Sequence, residues 1–339
     1  MTQLTIAMPS NRSLQRSRAA IETALTYAEK VDCRLIVADN SGDAEKRAFL
    51  SRLSKRLVYV VSDAPDAAAN LMVALVHADT PFVMPAADDD ELYLLDGIQP
   101  VDLAALPADT VGMRPLSYCW SGTDGVRSVA RFEISAQTAA ARLLEYNSKA
   151  GGNNAMYYST YRTDIFRGLI KLFVEAHPTR GGYCDWALTF ALAAGGKFAH
   201  DPATIYRYDL GNWAGQEEID ASNAELYNKA GLPENARRFD LLLRFVDTHI
   251  FLLWPGLKIE PAERQDAIVA NARLALGSFI RTVEANPDGY GEEVVYLTQM
   301  LQETQDIDSA FQIAVLILDR MQPGLAARYV DFFRAATAA

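Results

Sequence analysis

The sequence predicts an α/β fold followed by a C-terminal α-helical domain, and three observations carry that prediction. Short apolar runs alternate with helix-compatible segments over the first 85 residues. Each run ends in a cluster of Pro, Ser, Asn or Asp, and beyond residue 233 the pattern is helical throughout. A strand–helix alternation of this kind implies parallel strands with helices on both faces.

The elements follow in order. Residues 4–8 (Leu-Thr-Ile-Ala-Met) read as a buried strand stopped by Pro9 and the turn-forming Ser10-Asn11, with a helix over about 13–30. Residues 34–38 form a second strand, ending in Asp39-Asn40-Ser41-Gly42-Asp43. A helix to about residue 56, a strand over 57–61 and a helix over 65–78, opened by Pro65, come next. Residues 81–84 are the fourth strand and deliver the acidic run Asp88-Asp89-Asp90-Glu91. Strands over 111–120 and 125–134, helices over 136–146, 164–176 and 185–194, and two short strands over 197–200 and 204–208 complete the first region. Helices over 235–254, 261–286, 291–304 and 307–336 make the second, the last broken at Pro323-Gly324. The expected domains are 1–233 and 234–339.

Composition limits the function. At 339 residues, half of them apolar, the chain suits about two domains of roughly 100–200 residues each. A net charge of −11 argues against a general nucleic-acid binder, which needs a basic surface, but leaves room for a nucleotide ligand. Cys33, Cys119 and Cys184 are odd in number and lack CxxC spacing, which suggests reduced residues in a reducing compartment. The apolar stretches 241–254 and 311–318 are too short or too interrupted to span a bilayer. A cytoplasmic chain is expected.

The acidic run carries the chemistry. Adjacent carboxylates repel and are expensive to desolvate, and a divalent cation offsets both effects. The competing reading is a solvated loop whose last Asp caps a following helix. Asn11, Asp39, Asp43 and Asp88–Asp90 all fall just past predicted strand ends, where α/β sheets gather ligands.

Three segments then resemble one family. Leu4-Thr-Ile-Ala-Met-Pro-Ser-Asn-Arg12 looks like the opening strand of family 2-type glycosyltransferases, Leu35-Ile-Val-Ala-Asp-Asn-Ser-Gly-Asp43 like their second strand, and residues 80–92 like their Asp-x-Asp strand end. The resemblance covers 1–92 well, 93–213 loosely and the helical tail not at all. It implies a GT-A fold (a Rossmann-like mixed sheet flanked by helices), a nucleotide-diphosphate sugar donor, with UDP favoured, and Mn²⁺ or Mg²⁺. By position, Pro9, Asn11, Arg12, Asp39 and Asp43 would line the nucleotide pocket. Asp88 and Asp90 would hold the metal, with His200 a candidate third ligand. Asp89 would face the sugar or simply stabilise the turn, and Arg207 would contact the diphosphate. Ala86-Ala87 stand where relatives often carry further carboxylates.

Inverting transfer needs a general base. Asp185, in Gly181-Gly-Tyr-Cys-Asp-Trp-Ala-Leu188, fits the family's late helix start; the alternative is a first-turn Asp stabilised by the helix dipole. The acceptor implied is a glycan or lipid-linked glycan hydroxyl. Peripheral association with the inner face of the membrane and homo-oligomerisation through the helical region stay open. Two other functions are weighed: a non-catalytic scaffold on a degenerate GT-A fold, and a sugar nucleotidyltransferase. The latter is disfavoured because Met8–Ser13 lacks the glycines that grip a triphosphate.

Overall fold

The structure is a computed structural model that describes residues 2–122, 124–211 and 215–338. The chain divides into two compact units, and the division is not a single cut. One comprises 1–135, 152–174 and 197–218; the other comprises 136–151, 175–196 and 219–339. The sequence reading draws one line at 233. Contacts instead group two mid-chain helices with the helical tail, because their apolar faces pack there.

The first unit is built on β1 (Leu4–Ser10), α1 (Leu14–Lys30), β2 (Arg34–Asp39), α2 (Ala44–Leu50), β3 (Leu57–Val61), α3 (Ala67–Val76) and β4 (Phe82–Pro85). β5 (Glu91–Leu94), β6 (Thr110–Ser121) and β7 (Gly125–Ala130) follow. Between α4 (Ala139–Ala150) and α5 (Thr163–Ala176) lies β8 (Thr160–Arg162), and β9 (Lys197–Asp209) comes after α6 (Asp185–Gly195). Among the described residues the nine strands form one sheet in the order β3-β2-β1-β4-β8-β6-β9-β5, with β7 beside β6. β3, β2, β1 and β4 are parallel, whereas β8 runs antiparallel to β4 and to β6. This is a mixed α/β sheet flanked by helices, as expected.

Burial explains the first strands. β1 is buried along nearly its whole length, as a parallel strand covered on both faces must be. Ile6, Met8, Leu35, Val37 and Met84 pack with Ile21 and Leu25 of α1 into one core. Each such side chain contributes roughly 1.5–3 kcal/mol through removal from water.

Two expectations change. No helix follows the acidic run; β5 does, so Asp90 caps nothing. The two short strands near residue 200 are one strand, β9, whose parallel pairing with β6 shifts register between Pro115 and Leu116. Pro202 falls in that irregularity, where its missing N–H removes no ladder bond.

The second unit contains α4, α6, most of α7 (Gln216–Lys229), α8 (Asp240–Leu253), α9 (Pro261–Ala285), α10 (Glu292–Glu303), α11 (Ile307–Met321) and α12 (Leu325–Thr337). α7 is an element the sequence reading did not place. No helix among the described residues is long and apolar enough to cross a membrane.

Candidate active site

Strand register brings the predicted residues together. Ser10 lies opposite Asp39, and Ala7 lies opposite Pro85. Three residues beyond the second pair are Ser10 and Asp88, so the ends of β1, β2 and β4 meet at one level. Asn70 of α3 supports this edge by donating to the Ala38 carbonyl at 2.9 Å.

The centre of the cluster is Lys46, which the sequence reading missed. Its side chain is fully buried, and Nζ donates to Ser10 Oγ at 2.6 Å, the Arg12 carbonyl at 2.8 Å and Asp39 Oδ1 at 2.9 Å. All three ammonium protons are thereby used. Ser10 Oγ donates in turn to Asp88 Oδ2 at 2.6 Å. That oxygen also accepts the backbone N–H groups of Asn11 and Arg12, both at 3.1 Å. Asp88 Oδ1 pairs with the Arg12 guanidinium, which reaches Asp89 Oδ2 at 2.5 Å with its other arm. The result is a chain of alternating charge: Asp39, Lys46, Asp88, Arg12, Asp89.

Environment sets the charge states. Burial works against ionised Asp39, but hydrogen bonds from Tyr59, Lys46 and Ser41 outweigh it and hold its carboxyl below the ordinary value. Asp90 goes the other way. Burial, reinforced by the nearby Asp89 charge, pushes it up to about 7, against the opposing Asp209 N–H and Tyr206 hydroxyl. Those two donors reach Asp90 at 2.8 Å each. Tyr206 is fixed by Tyr158, whose ring stacks on it with centroids 4.7 Å apart. Burial also raises the Asp89 carboxyl, despite Arg12.

The remaining sequence candidates are placed as follows. Pro9 is the half-buried partner of Ala38 at the strand end. The Asp43 carboxylate accepts Leu14, Glu45 and Lys46 N–H groups at 2.8, 2.9 and 3.1 Å. It therefore serves the starts of α1 and α2, and these backbone bonds, Leu14 first, hold its pKa down. Arg207 pairs with Glu91 at 2.9 Å and lies over the Trp120 ring at 4.5 Å. Asp185 is in the other unit, in the first turn of α6, where it accepts the Trp186 N–H at 2.6 Å.

The residues named as metal ligands already hold protein donors, and a lone pair is left on Asp88 Oδ1 and on each Asp90 oxygen. A divalent ion needs several oxygens with free lone pairs. Asp88 already accepts four donors, including a guanidinium, and each oxygen of Asp90 holds a protein donor. His200 pairs across β6 with Arg114, and its Nδ1 faces that residue's carbonyl at 3.2 Å. It forms no three-ligand set with Asp88 and Asp90.

One set of metal-capable side chains exists among the described residues, His177, Cys184 and Asp247, all buried in the helical unit. His177 Nδ1 accepts the Thr179 and Arg180 N–H groups at 3.2 and 3.0 Å. A neutral ring then carries its proton on Nε2, the nitrogen facing Asp247 at 3.0 Å. A ligating histidine shows the opposite arrangement. With the Tyr329 hydroxyl donating to Asp247 at 2.9 Å, the cluster reads as a packed hydrogen-bond network.

No protein-family profile and no curated protein matches this chain. Among solved structures, S. aureus TarS 1–349 is similar over 92% of this chain and 90% of that chain, with 16% identity and a TM-score of 0.42. Its complex with UDP gives 15% identity and a TM-score of 0.41 over 92% and 90% of the two chains. The complex with UDP-GlcNAc gives 13% and 0.40 over 99% and 91%. At these values the likeness assigns no activity.

Proposed function

We propose that this chain transfers a glycosyl group from a nucleoside-diphosphate sugar, uridine being the favoured base, to a hydroxyl of a glycan or lipid-linked glycan. One observation carries the reading. The ends of β1, β2 and β4 converge, through Ser10, Asp39 and Asp88, at the carboxyl edge of the parallel strands, where α/β sheets bind nucleotides. Asp39 Oδ2 holds a bond from Tyr59 at 2.7 Å and keeps a lone pair for a base N–H. Pro9–Arg12 would flank the base and ribose, and Arg207 would meet the diphosphate. Asp185 is the proposed base, taking the acceptor proton as the nucleotide leaves with inversion. A divalent ion, if bound, would be held by the lone pairs left on Asp88 Oδ1 and the two Asp90 oxygens, and would supply positive charge for the departing diphosphate.

The protein donors already held by Asp88 and Asp90 also favour a second reading, a nucleotide-binding protein without turnover. A thermal-shift panel of nucleoside diphosphates and their sugars, followed by assay for nucleotide release, tests both. Binding to the native state raises Tm by mass action. Binding with release supports the transferase, and binding without release under any acceptor mixture supports the second reading. Absence of any nucleotide binding removes both.

A further inference from the structure

Two clefts of the helical unit share the turn 286–291, and both are lined by residues of that unit alone. One, of about 720 Å³, takes in Asn286 and Tyr290 and reaches Asn235 and the start of α8. The other, of about 440 Å³, is lined by Asp288 and Gly291 of the turn and by Glu292, Val295, Tyr296 and Gln299 of α10. Both volumes fall in the range of small-molecule sites. The turn itself is held in place. Tyr290 packs edge-on against Phe239 and Phe279, with ring centroids 5.4 and 6.0 Å away, and its hydroxyl donates to the Arg238 carbonyl at 3.1 Å. The Arg238 guanidinium donates in turn to the Gly289 carbonyl. A lining fixed in this way costs little to order when a ligand arrives.

The chemistry of the smaller cleft is specific. Tyr296 is 62% exposed and packs on no aromatic ring among the described residues. Met300, 40% exposed and one turn further along α10, continues the same face. An exposed ring alone is ordinary. This one lines a cleft with Asp288, Glu292 and Gln299, whose side chains hold no hydrogen-bond or ion-pair partner among the described residues. Gly291 lines it too, with no atom within 4 Å of where a side chain would begin. Charge then selects the ligand class. No cation lines this cleft, and in the larger one Arg237 is paired with Asp220 and Arg238 is tied to Gly289. A phosphate or nucleotide would meet the uncompensated charge of Asp288 and Glu292. A cation suits those two acids but leaves the amides of Gln299, Asn235 and Asn286 without a role. A pyranose uses every group: its C–H face lies on the electron-rich ring face, carboxylates accept from its hydroxyls, and amides both donate and accept.

We infer that the helical unit binds an uncharged, hydroxyl-rich glycan at this turn, with one sugar ring stacked on Tyr296 and neighbouring sugars along the larger cleft. Asp288, Glu292 and Gln299 take the hydroxyls of the stacked ring, and Asn235 and Asn286 serve the next. That this glycan is the acceptor chain rests on the glycosyl-transfer reading; the binding site itself does not. Its contribution is tethering. A chain held at one point meets a second site on the same molecule at an effective concentration on the order of millimolar when the connection is short and flexible.

A glycan array incubated with the labelled full chain tests the site. It carries maltotetraose, cellotetraose and chitotetraose as neutral probes and tetragalacturonate as the acidic one, with hexalysine in solution as competitor. At least one neutral tetrasaccharide should retain the chain, and tetragalacturonate should not. Tyr296→Ala should weaken that retention about tenfold, whereas Tyr296→Phe, which keeps the ring, should preserve it. Both changes are at an exposed position and should leave nucleotide affinity unaltered. Glu292→Gln keeps a hydrogen-bonding group and removes a charge, so neutral retention should survive it. Failure of every neutral probe, equal retention of wild type and Tyr296→Ala, or displacement by hexalysine would overturn the inference. If Tyr296-dependent retention is seen but no nucleotide binds, the glycan site stands and the glycosyl-transfer reading falls. If nucleotide is released to an acceptor with no Tyr296-dependent retention, the transfer reading stands and the glycan site falls.

Discussion

Replacing Lys46 with methionine keeps the volume of the side chain and deletes its charge and three hydrogen bonds. Asp39 then remains as a buried carboxylate held only by Tyr59 and Ser41. Ser10 and the Arg12 carbonyl each lose a donor. Removing one partner of a buried ion pair costs about 3–5 kcal/mol, mainly because the other charge is stranded. The effect has a pH signature. In the native protein Asp39 lies below its ordinary value, so its contribution is present above about pH 4 and disappears as pH falls through the folded value. Without Lys46 the Asp39 carboxyl moves up, so the destabilisation should be full at about pH 8 and shrink toward about pH 4, as the carboxyl protonates. Hydrogen exchange at β1 and β2 amides reads the local opening free energy in a chain of two units, where a global transition need not be two-state. Asp39→Asn in the Lys46→Met background should recover part of the loss. A cost below about 1 kcal/mol at both pH values, or no coupling in the double-mutant cycle, would refute the reasoning.

Four further outcomes are expected. Burial holds the Asp90 carboxyl up at about 7, so the protein should lose up to about 4 kcal/mol of stability as pH rises from about 4 to about 7. Asp90→Asn should flatten that slope and raise Tm at about pH 8, and an unchanged pH profile would contradict the assignment. Asp185→Asn should abolish sugar transfer with nucleotide affinity unchanged; an equal loss of binding would make Asp185 a structural residue. Asp247→Ala should destabilise the helical unit by about 2–4 kcal/mol, by stranding the buried His177 N–H and Tyr329 hydroxyl. Zn²⁺ added to the native protein should leave its Tm unaltered, and a saturable zinc-dependent rise would show that the ring proton is not on Nε2.

Local pattern was enough for the strands and for part of the site. Apolar runs ending in Pro, Asn and Asp located β1, β2 and β4, and because ligands collect past such ends, Asp39 and Asp88 could be singled out from sequence. The partners of those residues could not. Lys46 sits in a short charged helix and looks like a surface residue; only the packing of α2 turns it inward between Ser10 and Asp39. Tyr206 and Asp209 are more than 100 residues from Asp90, and the pairing of β9 with β5 brings them to it. Asp43 had the right type and position for a ligand, yet its oxygens meet helix N–H groups, which a sequence cannot count.

What the sequence determined by itself was therefore the alternation of elements and the identity of the residues delivered to the sheet edge, since both follow from periodicity and turn chemistry along the chain. The tertiary structure alone decided which charges meet. Hydrogen bonding is a property of neighbours in space, and it turns the acidic run from an open set of carboxylates into one tied to Arg12 and to the donors of β1 and β9.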